Sequence, residues 1–126
     1  MHEDFLREEV DRFIIDEIDT VPHLEALLLL WNSRPREWSL EDMAKALYTS
    51  PEAARTILSD LERRQFVMLN DKERFLYRSS ERDGLIDGVD RIYRREVVRI
   101  SNMIHAKPSA SLREFARAFR LKRDRD

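Results

Sequence analysis

The chain has 126 residues, enough for one domain with a single hydrophobic core. It has no cysteine, which excludes disulfides and thiolate chemistry and fits a reducing cytosol. The formal net charge of −2 is polarised: residues 1–30 carry −7, residues 31–80 carry +1 and residues 81–126 carry +4. A polarised chain can still offer phosphate a basic face, although a pI near 6 is a weak footprint for it.

Met1-His2-Glu3-Asp4 is acidic and lacks the basic-then-apolar order of a secretory signal, so none is expected. Phe5, Leu6, Val10, Phe13, Ile14 and Ile18 recur at helical spacing and predict an amphipathic helix over about His2–Asp19. Its other face is acidic. Thr20-Val21-Pro22 breaks and restarts the chain. Leu24, Ala26, Leu27, Leu28, Leu29, Leu30 and Trp31 then form a helix that is apolar almost all round, which predicts a central, buried position. This run is far shorter than the roughly 20 residues a bilayer requires. Asn32 to Arg36 is a polar linker, and Glu37-Trp38-Ser39 is expected as a short third strand beside a hairpin.

Ser39 is a good N-cap for a helix with Leu40, Met43, Ala44 and Leu47 on one face. Thr49-Ser50-Pro51 stops it and starts another. Ser50 can cap, and Pro51 suits the first helical position because its missing N–H has no partner there anyway. Ala54, Ile57, Leu58 and Leu61 give this second helix its apolar face. Phe66 to Leu69 and Phe75 to Tyr77 are β-prone runs around the charged turn Asn70-Asp71-Lys72-Glu73. Helix, turn, helix, hairpin is the order of a winged helix-turn-helix. Such a unit presents one helix and one hairpin tip to a partner, most often duplex DNA.

Ser79-Ser80 can cap a long helix reaching about Ala106, with Gly84 and Gly88 weakening its start. Ile86, Val89, Tyr93, Val97, Ile100, Met103 and Ile104 form a heptad-like stripe along it. Leu85, Ile92 and Val98 add apolar surface on other faces, more than one core contact requires, so the stripe is expected to be a subunit interface. Lys107-Pro108-Ser109 ends that helix. Ser109 or Ser111 caps a last one, with Leu112, Phe115, Ala116 and Phe119 on one face and Arg113, Arg117 and Arg120 elsewhere. The expected fold class is mainly α with a small β-hairpin wing. The expected organisation is a single domain over 1–126: an N-terminal helix over 1–21, a winged helix-turn-helix core over 22–78 and C-terminal dimerisation helices over 79–126.

Catalysis is not expected. His2, His23 and His105 are far apart, and no His-Glu-x-x-His, glycine-rich phosphate loop or cysteine pair occurs. No metal site or cofactor is indicated. His23 and His105, near helix ends, are expected to be structural or exposed.

Residues 22–78 resemble the winged helix-turn-helix domains of bacterial transcription regulators. With the flanking helices, the whole chain resembles a MarR-type regulator in element order. It departs from that family in its short wing, Asn70-Asp71-Lys72-Glu73-Arg74, and in Gln65-Phe66, where glycine is common. The resemblance implies a cytoplasmic homodimer joined through its terminal helices, with the helix over about 51–65 in the major groove of double-stranded DNA. Ser50, Arg55, Thr56 and Ser59 would then meet bases or phosphates, Arg63 and Arg64 would be phosphate clamps, and Lys72 and Arg74 would meet the backbone or minor groove. Glu52 and Glu73 would oppose them. A small-molecule effector between the dimer helices and the winged core is also implied. The alternative is a winged helix that serves as a protein-interaction adaptor without DNA binding, which the acidic first helix and weakly basic second helix of the core favour.

Overall fold

The computed structural model describes residues 2–107. They form six helices and one hairpin: α1 (His2–Glu17), α2 (Val21–Asn32), α3 (Leu40–Ala46), α4 (Pro51–Arg63), β1 (Val67–Leu69), β2 (Phe75–Tyr77), α5 (Asp83–Arg95) and α6 (Val97–His105). The expected last helix, from Ser109 or Ser111 through Phe119, lies outside the described residues.

Helix α2 begins where Thr20 accepts the backbone N–H of His23 on its hydroxyl oxygen. Its buried residues are His23, Leu24, Ala26, Leu27, Leu28, Leu30 and Trp31, so the apolar cylinder is central as its sequence predicts. It packs against α4, β2, α5 and α6. Ser39 and Ser50 cap α3 and α4 as expected, accepting the N–H groups of Asp42 (3.0 Å) and Ala53 (3.1 Å). The hairpin pairs Val67 with Tyr77, Met68 with Leu76 and Leu69 with Phe75. The expected third strand is reduced to one residue: Trp38 exchanges two backbone hydrogen bonds with Phe75, at 2.7 and 2.8 Å.

The single long helix expected after the hairpin is two helices. Ser80 supports the start of the first, accepting the Arg82 N–H on its hydroxyl oxygen (3.0 Å), whereas Ser79 caps nothing. Both also bond to Asp83, whose carboxylate accepts the Ser79 hydroxyl, the Ser80 N–H (2.9 Å) and the Tyr77 hydroxyl (2.7 Å). This holds 79–82 as a turn, and α5 starts at Asp83. The second difference is a break at Glu96, with φ −133° and ψ 47°. Its carboxylate accepts from Arg7 of α1 (2.6 Å) and from Arg99 of α6 (2.8 Å). Arg99 also grips Asp11 of α1 with two hydrogen bonds, at 2.9 and 3.1 Å. The break brings α6 onto α1, where Ile100 and Ile104 join the core. The glycines do not make the bend. Gly88 instead lets α1 approach α5, since a Cβ there would lie 2.9 Å from a methyl of Leu6.

The apolar stripe is also placed differently from expectation. Ile86, Val89, Ile100 and Ile104 are buried in the chain's own core, so they offer no surface to a second copy. Tyr93 and Met103 are half-buried, and Val97 is exposed, with the still more exposed Val98 beside it.

At the end of α4, Gln65 N–H bonds to Glu62 O and Phe66 N–H to Leu61 O, the paired pattern that closes a helix through a left-handed residue. That residue is Gln65, at φ 73°. A side chain there costs about 1–2 kcal/mol, and glycine avoids this cost. We therefore expect Gln65→Gly to raise the melting temperature by about 4 °C, measured by circular dichroism.

Candidate nucleic-acid interface

Helix α4 buries Ala54, Ile57, Leu58 and Leu61 and turns Glu52, Arg55, Thr56, Ser59, Glu62 and Arg63 to solvent. Polar contacts fix how it lies. Thr20 Oγ1 accepts the His23 N–H and shares a hydrogen bond with His23 Nδ1 (2.6 Å), and His23 Nε2 is hydrogen-bonded to the Asp60 carboxylate of α4 (2.8 Å). Asp60 also accepts from Arg63. Arg64, just past the helix, turns inward to Glu17 (2.8 Å) and Asp19 (3.5 Å). Arg64 is thereby committed to the fold rather than to the exposed face that the resemblance implied.

Donor atoms of Asp19, His23 and Asp60 lie within 4.8 Å of one another, a spacing a divalent cation can bridge. His23 is saturated by Thr20 and Asp60, and arginines neutralise both carboxylates, so the group works as a tether between helices. His23 is buried, consistent with the structural role expected for it.

Among the remaining site residues, Ser50 is engaged in the cap, Thr56 donates to Glu52 O (3.2 Å) and Arg63 pairs with Asp60. Arg55 is exposed and makes no hydrogen bond or ion pair among the described residues. With Leu40, Glu41, Leu69, Glu73 and Phe75 it lines a depression of about 180 Å³ between α3, α4 and the hairpin. The helix and the hairpin tip therefore share one surface. In the wing, Asn70 accepts the N–H groups of Lys72 and Arg74 on its side-chain oxygen, at 3.0 Å each, and leaves both cationic side chains exposed. Lys45 and the fully exposed Tyr48 lie on the same helix-turn-helix unit and escaped the sequence reading. The signal for Tyr48 was an aromatic residue placed directly before Thr49-Ser50-Pro51.

A second cavity, of about 390 Å³, lies between α2 and α5. Leu28 and Leu29 line it, with Asp90, Tyr93 and Arg94 at its edge. Asp90 is buried and accepts from Asn32 (3.1 Å) and Arg94 (3.2 Å).

The wing is anchored at its base. Tyr77 packs edge-on against Trp31, and the Arg34 guanidinium sits 3.3 Å above the Trp31 ring. Burial, then the hydrogen bond to Asp83, pushes the Tyr77 hydroxyl pKa upward. The Ser79 hydroxyl, with the Tyr77 hydroxyl and the Ser80 N–H, holds the Asp83 carboxyl below its usual range.

This arrangement defines a winged helix-turn-helix flanked by helices at both ends. No protein-family model and no curated protein matches the chain. Solved structures do. A MarR family protein of Mycobacterium tuberculosis superposes with a TM-score of 0.55 at 22% identity, covering 93% of this chain and 84% of that one. MepR of Staphylococcus aureus, a transcription regulator of the multidrug efflux pump MepA, gives 0.52 at 16% identity, covering 94% and 87%. A MepR variant bound to an oligodeoxyribonucleotide gives 0.53 at 15%, again covering 94% and 87%. The fold is the MarR-type winged helix.

Because the Asp83 carboxyl pKa is lower in the folded than in the unfolded chain, its contribution is present above about pH 4 and lost as pH falls below it. We expect Asp83→Asn to lower the melting temperature at pH 7. We also expect a shallower loss of stability between about pH 5 and pH 2 than in the wild type, read from melts across that range.

Proposed function

We propose that this chain is a cytoplasmic, homodimeric transcription regulator that binds duplex DNA by sequence. Helix α4 enters the major groove and the hairpin tip lies on the flanking backbone. The observation that carries this reading is Arg55: an exposed guanidinium without a partner among the described residues, one face away from the buried side of α4, beside the wing. Arginine in that setting grips the O6 and N7 of guanine with two hydrogen bonds. Ser50 and Ser59 donate to phosphates or base edges around it, and Thr56 joins them when its hydroxyl turns away from Glu52 O. Arg63, mostly exposed despite its pairing with Asp60, and Lys72 and Arg74 of the wing supply backbone contacts. The fold shared with MepR, one form of which holds an oligodeoxyribonucleotide, supports the assignment.

Dimerisation falls to the part of the stripe the core leaves uncovered: Tyr93, Val97 and Met103, with Val98 beside them. Two copies then set their α4 helices for half-sites about one helical turn apart, in an inverted repeat. A rival reading, a protein-interaction module, draws on Glu41 and Glu73, which line the same depression as Arg55 and oppose phosphate.

Selection of genomic fragments by the purified protein at physiological salt separates the two. We expect an inverted repeat to be enriched by a species whose light-scattering mass is a dimer. We also expect Arg55→Ala to weaken binding to it by about 1–3 kcal/mol, roughly five- to 150-fold, and to relax preference at one base position. A folded protein that enriches nothing even at low salt eliminates the DNA reading and leaves the protein-interaction module.

A further inference from the structure

Tyr48 occupies a costly position that the fold does not need. It follows α3 in a left-handed conformation, φ 55°. Its N–H bonds to Lys45 O (3.2 Å) and the Thr49 N–H bonds to Ala44 O (3.0 Å), which closes the helix. Glycine satisfies that geometry without strain, whereas a bulky side chain there is an outlier. The side chain gives nothing back, because it is 97% exposed and makes no hydrogen bond or ring contact among the described residues. Gln65 and Glu73 share the backbone conformation, but they carry polar side chains that belong in water. An aromatic ring held almost wholly in solvent does not.

Its position suggests what covers it. Tyr48 lies two residues before Ser50, the cap of α4, and three after the exposed Lys45. In a helix-turn-helix this turn stands where the sugar–phosphate wall passes the start of the groove-entering helix. A protein partner would call for a contiguous apolar patch, yet Tyr48 is the only large exposed hydrophobic side chain from Trp38 to Arg63, and the half-exposed Met68 and Leu69 belong to the hairpin. Of its exposed neighbours in sequence, Lys45, Ser50 and Glu52 are polar or charged and Pro51 alone is apolar.

We infer that Tyr48 is a DNA-backbone contact. Its hydroxyl donates to a phosphate oxygen and its ring lies on the adjoining deoxyribose. The contact sets the register of α4 and reads no sequence. This inference rests on the DNA-binding reading above, and the test keeps the two apart.

Wild type, Tyr48→Gly and Tyr48→Phe are compared by thermal melts and by fluorescence anisotropy. The two DNA probes are the duplex enriched from genomic fragments and a scrambled duplex of equal length. We expect Tyr48→Gly to melt about 4 °C higher, because the left-handed strain is released. It binds both duplexes about three- to tenfold more weakly, the weight of one lost hydrogen bond and its contact, so the ratio between them stays unchanged. Tyr48→Phe keeps the ring and falls between the two. A Tyr48→Gly protein that binds as tightly as wild type overturns the contact and leaves the DNA reading standing. Loss on the enriched duplex alone overturns the backbone assignment, and a lower melting temperature overturns the strain on which it stands. A wild type that binds neither duplex removes the DNA reading itself, and this inference with it.

Discussion

Everything in this fold is arranged around a helix that cannot face water. Helix α2 has apolar side chains on nearly every side, and α4, β2, α5 and α6 enclose it. Enclosure of a cylinder leaves little choice. One side takes α4, another the hairpin, and the rest is closed by the two helices that follow. The face of α4 that points to solvent is thereby the face left over when Ala54, Ile57, Leu58 and Leu61 have gone inward.

Apolar packing sets which face of α4 is buried, but it is non-directional. Directional polar contacts fix the remaining freedom. Thr20, His23 and Asp60 tie the start of α2 to the last turn of α4, and Arg64 ties the end of α4 to Glu17 and Asp19. The wing is held in the same manner, with Tyr77 against Trp31 on one side and bonded to Asp83 on the other. The presented helix and the presented hairpin are each clamped to the same central element.

Much of the core was legible because its signals are local. A serine followed by an acid or a proline marks a helix start, and alternating β-prone runs around a polar turn mark a hairpin. These signals placed α3, α4, β1 and β2 where the structure has them. The break at Glu96 was not legible, because its cause lies 89 residues away in Arg7 and is reinforced by Arg99 gripping Asp11, 88 residues distant. A heptad-like stripe reports that a face is apolar and not what covers it, so Ile86, Val89, Ile100 and Ile104 were expected at an interface and lie in the core. Within the candidate site, the exposure of Arg55 follows from its helical phase. The inward turn of Arg64 depends on acids of α1 and the loop after it, and the left-handed residues Tyr48 and Gln65 occupy places where sequence statistics look for glycine.

The mosaic of charge on the presented surface has a kinetic meaning. Arg55, Lys72 and Arg74 share it with Glu41, Glu52 and Glu73, and the whole chain carries −2. Opposite charges a few residues apart cancel within about a Debye length, ~8–10 Å at physiological salt. A polyanion approaching this surface feels little pull until it is nearly in contact. On the DNA-binding reading proposed above, capture would proceed at the unassisted rate of about 10⁵–10⁶ M⁻¹s⁻¹ rather than the steered rate of strongly basic domains, and occupancy would be governed by how slowly the complex lets go.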